Sequence, residues 1–172
     1  MGEHPYWYFT PYQADLNAAL QHLRQQEFEA GRYSPVNPFP FDPALNEPIK
    51  AREPNAGHYA SIEAALEAAM AAGTRSILDI KRVADDPGLS VASPVATPYL
   101  WLFFRTDKPK RQVIEAVLFG ALQTEAEEEE DSDYDAEIDD FFALVDRGES
   151  EYVIVYADEQ PAEIFFAGYS FD

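Results

Sequence analysis

The first part of the chain changes from an aromatic segment to a strongly amphipathic one. His4 to Phe9 form a short apolar run, which predicts a first β-strand. Leucine and phenylalanine then recur at helical spacing as far as Gly31, and Thr10-Pro11 before them has the composition of a helix start. The pattern therefore predicts a first helix that begins near Thr10 and ends at Gly31.

The middle of the chain contains weaker signals of both kinds. An apolar face at helical spacing runs from Ser61 to Gly73 and predicts a second helix. Ser76 to Ile80 alternate imperfectly between polar and apolar residues, which predicts a strand. Leu89 to Val95 fit either another short strand or irregular structure.

Three further helices are predicted in the second half of the chain. Thr97-Pro98 has a helix-opening composition and precedes a dense apolar run, which favours a short helix over a strand. Lys108-Pro109 precede another helical pattern. Residues 138–145 have an amphipathic pattern that ends at Gly148 and predicts the last helix.

The C-terminal residues give the clearest β signal. Tyr152 to Tyr156 and Glu163 to Ala167 are rich in β-branched and aromatic residues, and Asp158 to Pro161 lie between them as a turn. These two strands predict a C-terminal β-hairpin. The elements together predict an α+β fold, with a small, mostly antiparallel sheet and four or five helices packed on one face of it.

Two segments without regular patterns interrupt these elements. Residues 34–60 contain repeated prolines that would break any helix or strand, although aromatic residues lie between them. Residues 125–135 hold eight acidic residues in eleven positions. At a length of 172 residues, the chain is expected to form one domain, residues 1–172, with a Pro-rich loop (34–60) and an acidic loop (125–135).

The negative charge is concentrated near the end of the chain. The formal net charge is −20, and residues 125–172 hold 18 acidic residues but one basic residue, Arg147. Such a field attracts cationic partners and repels nucleic acids and anionic membranes. We therefore expect a basic protein as partner, no nucleic acid partner and no membrane partner.

Other features of the composition narrow the function classes further. The chain has no cysteine, which excludes disulfides, thiolate metal sites and cysteine nucleophiles. Its first residues have neither the basic nor the apolar region of a secretory signal, and its longest apolar run is too short to span a bilayer. These features predict a cytoplasmic protein.

The acidic loop is the first candidate for a functional surface. An acidic surface that carries an aromatic side chain can occupy the basic cleft of another protein, with Tyr134 as the aromatic anchor. This interpretation predicts an acidic protein-binding module, such as an inhibitor or a toxin-neutralising immunity protein. The residues predicted to bind the partner are Glu127, Glu128, Glu129, Glu130, Asp131, Asp133, Tyr134 and Asp135.

The same loop matches a calcium-binding pattern only in part. Asp131, Asp133 and Asp135 alternate as in an EF-hand, but Ala136 and Phe142 stand where that motif needs a glycine and a bidentate glutamate. We therefore expect no specific metal site, but weak binding of divalent cations.

The alternative hypothesis is a small enzyme or small-ligand-binding protein. Its pocket would lie under the Pro-rich loop, where Arg52, Glu53, His58 and Tyr59 are the polar candidates. The chain has no Gly-rich phosphate loop and no complete nucleophile motif, so no cofactor and no catalytic residue is predicted. A third interpretation is that the acidic loop only increases solubility.

Aromatic residues near the N-terminus have two interpretations as well. Tyr6, Trp7, Tyr8, Phe9 and Tyr12, with Phe39 and Phe41, could line a ligand pocket, but this density of rings favours a core. In that core the tyrosine hydroxyls are expected to reach the surface.

Three segments near the two ends of the chain resemble parts of a known family. Phe9 to Tyr12, Glu27 to Tyr33 and Phe166 to Asp172 together resemble a family of small uncharacterised bacterial proteins. The resemblance covers about a third of the chain and implies a bacterial source. It implies no activity and no site residue.

Overall fold

The computed structural model describes residues 4–42, 47–48, 59–123 and 139–172. The strands, named in chain order, form a five-stranded sheet with the order β1-β7-β6-β5-β4 and a separate pair, β2-β3. Their bounds are β1 Pro5–Pro11, β2 Phe41–Asp42, β3 Glu47–Pro48, β4 Arg82–Val83, β5 Val91–Pro94, β6 Ser150–Ala157 and β7 Gln160–Tyr169.

The helices are interspersed with these strands along the chain. Residues 139–142 are also helical, and 3₁₀ turns cover Met70–Ala72 and Ile77–Asp79. The α-helices are α1 Leu16–Glu29, α2 Ile62–Ala69, α3 Thr97–Phe104 and α4 Arg111–Gln123. The α+β class is therefore confirmed.

The C-terminal hairpin of β6 and β7 is present, as predicted. Its turn consists of Asp158 and Glu159, whose φ angles of 49° and 62° are those of a tight two-residue hairpin turn. On the other side of β7, β1 pairs antiparallel from Pro5 to Pro11. These three long strands form the centre and one edge of the sheet.

The prediction of a mostly antiparallel sheet is wrong at the other edge. β4 pairs parallel to β5, and β5 pairs parallel to β6. The physical reason is the connection from β5 to β6, which contains helices α3 and α4. A helical crossover of this length returns the chain in the same direction, so the sheet is mixed.

Helices cover both faces of the sheet, whereas one face was predicted. The β1–β7–β6 register places Trp7, Ala167 and Glu151 in one row. Trp7 stacks on Phe119 of α4 at 4.6 Å between ring centroids and contacts Phe142 at 5.7 Å. α4 and the segment after residue 139 therefore cover this face.

The opposite face packs against α1 and the segment that follows α2. Tyr6 and Tyr8 belong to this face because they alternate with Trp7 along β1. Arg24 of α1 donates to the carbonyl oxygen of Leu78 at 3.0 Å, and Gln21 donates to that of Lys81 at 3.0 Å. These hydrogen bonds fix α1 to residues 78–81.

The N-terminal boundary of α1 differs from the prediction. Thr10 and Pro11 belong to β1, which pairs with β7 as far as Glu163. The N-cap is Asp15, whose side chain accepts from the backbone N–H of Ala18 at 3.0 Å. Pairing with a long neighbouring strand has outweighed the local helix-opening composition.

The segment Ser76 to Ile80 is not a strand, so that prediction is also wrong. The hydroxyl of Ser76 accepts from the backbone N–H of Leu78, and Asp79 accepts from the backbone N–H of Thr74. Two local side-chain acceptors thus hold the 3₁₀ turn Ile77–Asp79 in place of a strand.

The aromatic residues near the N-terminus form core, as predicted, with two differences. Tyr6, Trp7, Tyr8 and Phe41 are buried, but Phe39 is 65% exposed. The hydroxyls of both buried tyrosines lie inside the protein and do not reach the surface. Burial raises the pKa of Tyr6 and of Tyr8 well above the usual value for tyrosine.

Candidate functional site

One concave surface of the described residues is lined mainly by residues 139–147, which follow the acidic loop in the sequence. It is an open groove of about 710 Å³, which we call the acidic groove. Exposed carboxylates of Asp139 and Asp146 lie on it beside the exposed Arg147, and Phe142, Val145 and Tyr169 supply apolar surface. The groove therefore combines negative charge with aromatic surface.

The segment 139–148 brings the two acidic residues of the groove to one side. Residues 139–142 are helical, and hydrogen bonds from Leu144 and Val145 then close a tight turn. Phe142 is buried and meets the ring of Tyr169 edge to face at 5.2 Å. Buried aromatic contacts thus support an exposed acidic rim.

Two further carboxylates extend the negative field of the groove along the sheet. Burial and the charge of Asp146 raise the pKa of Glu149. Burial and the charge of Glu149 raise the pKa of Glu151 to about 7. None of these three residues, nor Asp139, forms an ion pair with another residue of the described part of the chain. The acidic residues therefore repel one another, although the exposed side chain of Arg147 also lines the groove.

A second, smaller concave site lies at the end of α2. This pocket has a volume of about 200 Å³, and we call it the Asp79 pocket. The carboxyl group of Asp79 is buried, with 1% of the residue exposed. Its Oδ1 accepts from the backbone N–H and from the hydroxyl of Thr74, at 2.8 and 2.9 Å.

The other oxygen of this carboxyl group is less well satisfied. Oδ2 of Asp79 is buried and has no hydrogen-bond partner among the described residues. Burial raises the pKa of Asp79 to about 6, although the hydrogen bonds from Thr74 and, more weakly, the proximity of the backbone N–H of Arg75 oppose that rise. The pocket therefore contains a buried acid whose proton affinity is unusually high.

A third cluster joins the two ends of the chain. Oδ2 of Asp172 accepts from Arg75 at 2.6 Å, and Oδ1 of Asp172 accepts from the hydroxyl of Ser170 at 2.6 Å. Nδ1 of His4 lies 3.3 Å from Oδ1 of the same carboxylate. Ser170 thus bonds to the acid rather than to the imidazole, so the cluster lacks the order of contacts of a catalytic triad.

Arg111, which precedes the acidic loop in the sequence, has partners elsewhere in the protein. Arg111 donates to Glu115 at 2.7 Å and to Glu163 at 2.8 Å, and its guanidinium lies 4.2 Å from the ring centroid of Phe9. These contacts hold α4 against the sheet. Arg111 thus has a structural role.

The predicted partner-binding residues lie outside the described residues. This holds for Glu127, Glu128, Glu129, Glu130, Asp131, Asp133, Tyr134 and Asp135. For that reason the binding role of the acidic loop remains a prediction, and the acidic groove is the acidic surface that the structure describes.

The structure describes one of the four residues that were predicted to line the alternative pocket under the Pro-rich loop. Arg52, Glu53 and His58 lie outside the described residues. Tyr59 is partly buried and packs against the core.

Sequence reasoning did not identify Asp79. The spacing Ser76-x-x-Asp79 nevertheless matches a capping signature, which could have indicated a turn with a buried acid.

The described ranges hold neither a candidate metal centre nor a candidate membrane span. Those residues contain no group of three or more His, Asp or Glu that could hold a metal ion. They also contain no helix that is long and apolar enough to cross a membrane. Because the acidic loop lies outside these ranges, weak binding of divalent cations remains a prediction.

The fold and the groove define an α+β protein with an acidic concave surface. No protein-family model, curated protein or solved structure matches the chain. The resemblance of its ends to small bacterial proteins therefore remains a prediction.

Proposed function

We propose that this protein binds a basic protein surface through the acidic groove and the acidic loop that precedes it. The proposal rests on one observation: Asp139 and Asp146 border a concave surface that also contains the rings of Phe142 and Tyr169, with Arg147 as the basic residue of its described lining. A lysine or arginine of a partner gains charge attraction and aromatic contact in such a place. The class includes inhibitors of basic enzymes and toxin-neutralising immunity proteins.

The raised pKa of neighbouring acids supports this proposal. Burial and, second to it, the like charges at Asp146 and Glu149 destabilise the ionised forms of Glu149 and Glu151. A partner's cation that lies among them would remove part of this repulsion. Binding would therefore lower the pKa of Glu149 and Glu151, and Glu151, whose pKa is about 7, would release protons near that pH.

The expected contribution of this charge is mainly to the association rate. Complementary charge steers encounter and is screened over about 8 Å at physiological salt. Rim charges therefore influence the rate and its salt dependence, whereas buried aromatic contacts influence dissociation. On this basis the acidic loop accelerates encounter, and the groove with Tyr134 of the loop retains the partner.

The test uses a partner isolated from a lysate of the source cells. The charge-reversal variant combines Glu128→Lys, Glu129→Lys and Asp131→Lys. We expect it to slow association roughly 10-fold or more at low salt, with an unchanged thermal transition. An unchanged association rate in a folded variant would show that the acidic loop does not take part.

A matched control separates local from overall charge. Asp85 and Asp86 are exposed and lie in the connection before β5, away from the groove residues in sequence. The variant with Asp85→Lys and Asp86→Lys changes charge at a second place. Equal slowing per charge in both variants would contradict a defined binding surface.

A further inference from the structure

The Asp79 pocket has no lining residue in common with the acidic groove. It lies among the C-terminal end of α2, the segment 73–81 and the residues before the C-terminus. Leu66, Met70 and Phe171 line it with apolar surface, and Asp79, Lys81 and Ser90 supply polar groups. A role of this pocket is therefore separate from the binding of a protein partner at the groove.

Asp79 provides an unused acceptor at this pocket. Oδ1 already holds the turn through its two bonds from Thr74, whereas Oδ2 has no partner among the described residues. A buried acceptor without a hydrogen bond costs about 1–3 kcal/mol. A donor from a bound molecule would remove that cost.

The surroundings of Oδ2 consist of residues of the same pocket. A Cβ atom placed on Gly73 would lie 2.7 Å from Oδ2 of Asp79 and 2.7 Å from Cδ2 of Phe171. Gly73 and Phe171 both line the pocket. Residue 73 must therefore be small because Asp79 and Phe171 pack closely against it, and the Phe171 ring must turn for a ligand to reach Oδ2.

Lys81 adds the opposite charge. Its side chain is exposed and forms no ion pair with any residue in the described ranges. The backbone of Lys81 is fixed, since its N–H donates to the carbonyl oxygen of Ser90 and its own carbonyl oxygen accepts from Gln21. The pocket therefore presents a buried anion and an exposed cation at fixed backbone positions.

We propose that the Asp79 pocket binds a free α-amino acid with an apolar side chain. The ammonium group donates to Oδ2 of Asp79, and the carboxylate pairs with the ammonium of Lys81. The apolar side chain packs against Leu66 and Met70, of which Met70 is 80% exposed without a ligand. A ligand with one charge alone would leave one of the two pocket charges without a partner.

The volume of the pocket agrees with a ligand of this size. About 200 Å³ is the space of roughly six or seven water molecules. Sites for drug-sized ligands occupy roughly 300–1,000 Å³. A nucleotide or another large cofactor would therefore not fit without rearrangement.

The test titrates the full chain with leucine, methionine and phenylalanine and follows amide NMR signals. At about pH 7.5 we expect saturable shifts at Gly73, Asp79, Lys81 and Ser90, with Kd in roughly the micromolar to millimolar range. The leucine analogues 4-methylpentanoate and isoamylamine each lack one charged group. Both are expected to bind at least about 10-fold more weakly than leucine.

Two variants test the assigned charges. Asp79→Asn keeps the acceptor for Thr74 but removes the negative charge, and Lys81→Gln changes an exposed residue that the fold does not need. Each is expected to weaken leucine binding at least about 10-fold, whereas Lys108→Gln, also exposed, leaves it unchanged. The proposal is overturned if none of the three amino acids shifts these amides up to about 10 mM. It is also overturned if Lys81→Gln and a folded Asp79→Asn bind leucine as the wild type does.

Discussion

The acidic groove and the Asp79 pocket use the same functional group in opposite ways. In the groove, Asp139 and Asp146 are exposed and are held by a short turn over a buried ring. In the pocket, a single carboxyl group is buried to 1% exposure and fixed by two hydrogen bonds from Thr74. Surface carboxylates act together over a distance, whereas a buried carboxyl group acts on the atoms that touch it.

This difference has consequences for stability as well as for binding. Removal of an exposed charge changes few contacts and is expected to leave the fold intact. Changes at Asp79 or next to it affect hydrogen bonds and packing in the interior. Substitutions in each region measure how far the two regions differ in their effect on stability.

The largest effect is expected at Gly73, beside Asp79. Its φ of 75° is in the left-handed region, and an added Cβ would lie 2.7 Å from Oδ2 of Asp79. Gly73→Ala is expected to lower the free energy of unfolding by about 2–4 kcal/mol. Gly120→Ala is the control, because residue 120 is in α4 and nothing lies within 4 Å of its added Cβ. We expect this variant to raise the free energy of unfolding by about 0.5–1 kcal/mol. Urea denaturation of both variants measures this difference, and equal stabilities would show that the space beside Asp79 is not restricted.

The next effect separates the two oxygens of Asp79. Asp79→Ala removes the acceptor of both bonds from Thr74 and is expected to cost about 2–3 kcal/mol. Asp79→Asn keeps the acceptor at Oδ1 and removes the buried charge, so its cost at neutral pH is expected to be below about 1 kcal/mol. If both variants lose the same stability in chemical denaturation, the bonds at Oδ1 do not stabilise the turn.

The pH dependence of stability distinguishes the buried acid from the exposed acids. The pKa of Asp79 is about 6 in the folded protein and 3.8 as the ordinary value, so the folded state binds this proton more tightly. Its contribution to stability is complete below pH 3.8 and is lost as the pH rises through about 6. Relative to Asp79→Asn, the wild type should therefore become more stable by about 1–3 kcal/mol between pH 7 and pH 4.

The smallest effect on stability is expected in the groove. A variant with Asp139→Asn and Asp146→Asn should unfold within about 0.5 kcal/mol of the wild type, with any change toward higher stability at low salt. The reason is that both residues are exposed and unpaired within the described part of the chain. A loss of more than about 1 kcal/mol in the same denaturation assay would assign these residues a structural role.

Strong local patterns account for the parts of the fold that the sequence predicts well. The hairpin of β6 and β7 has alternating β-branched and aromatic residues on both sides of a two-residue turn. The helix N-cap at Ser61 and the positive φ of Gly31 and Gly73 were likewise predictable from residue type. In these places local preference and tertiary structure agree.

The errors occur where distant residues decide the local structure. Thr10 and Pro11 have a helix-opening composition, but β7 extends past them and pairs with them. Whether β6 runs parallel or antiparallel to β5 depends on the path of the intervening helices, which hydrophobic pattern does not encode.

The candidate sites were predictable to different degrees for the same reason. Charge density in residues 125–172 is visible in the sequence, so an acidic surface was expected. The Asp79 pocket depends on contacts among α2, residues 73–81 and Phe171, which are far apart along the chain. No local pattern indicates that these segments meet.

The most direct test of the central claim is the salt dependence of partner capture by matched charge variants. The wild type, the variant with Asp139→Asn and Asp146→Asn, and the control with Asp85→Asn and Asp86→Asn are used as baits at about 50 and 500 mM salt. We expect the wild type and the control to capture one basic protein at low salt and to lose it at high salt. We expect the groove variant not to capture that protein at either salt concentration. Equal capture of that protein by the groove variant, or capture that does not weaken at high salt, would contradict it.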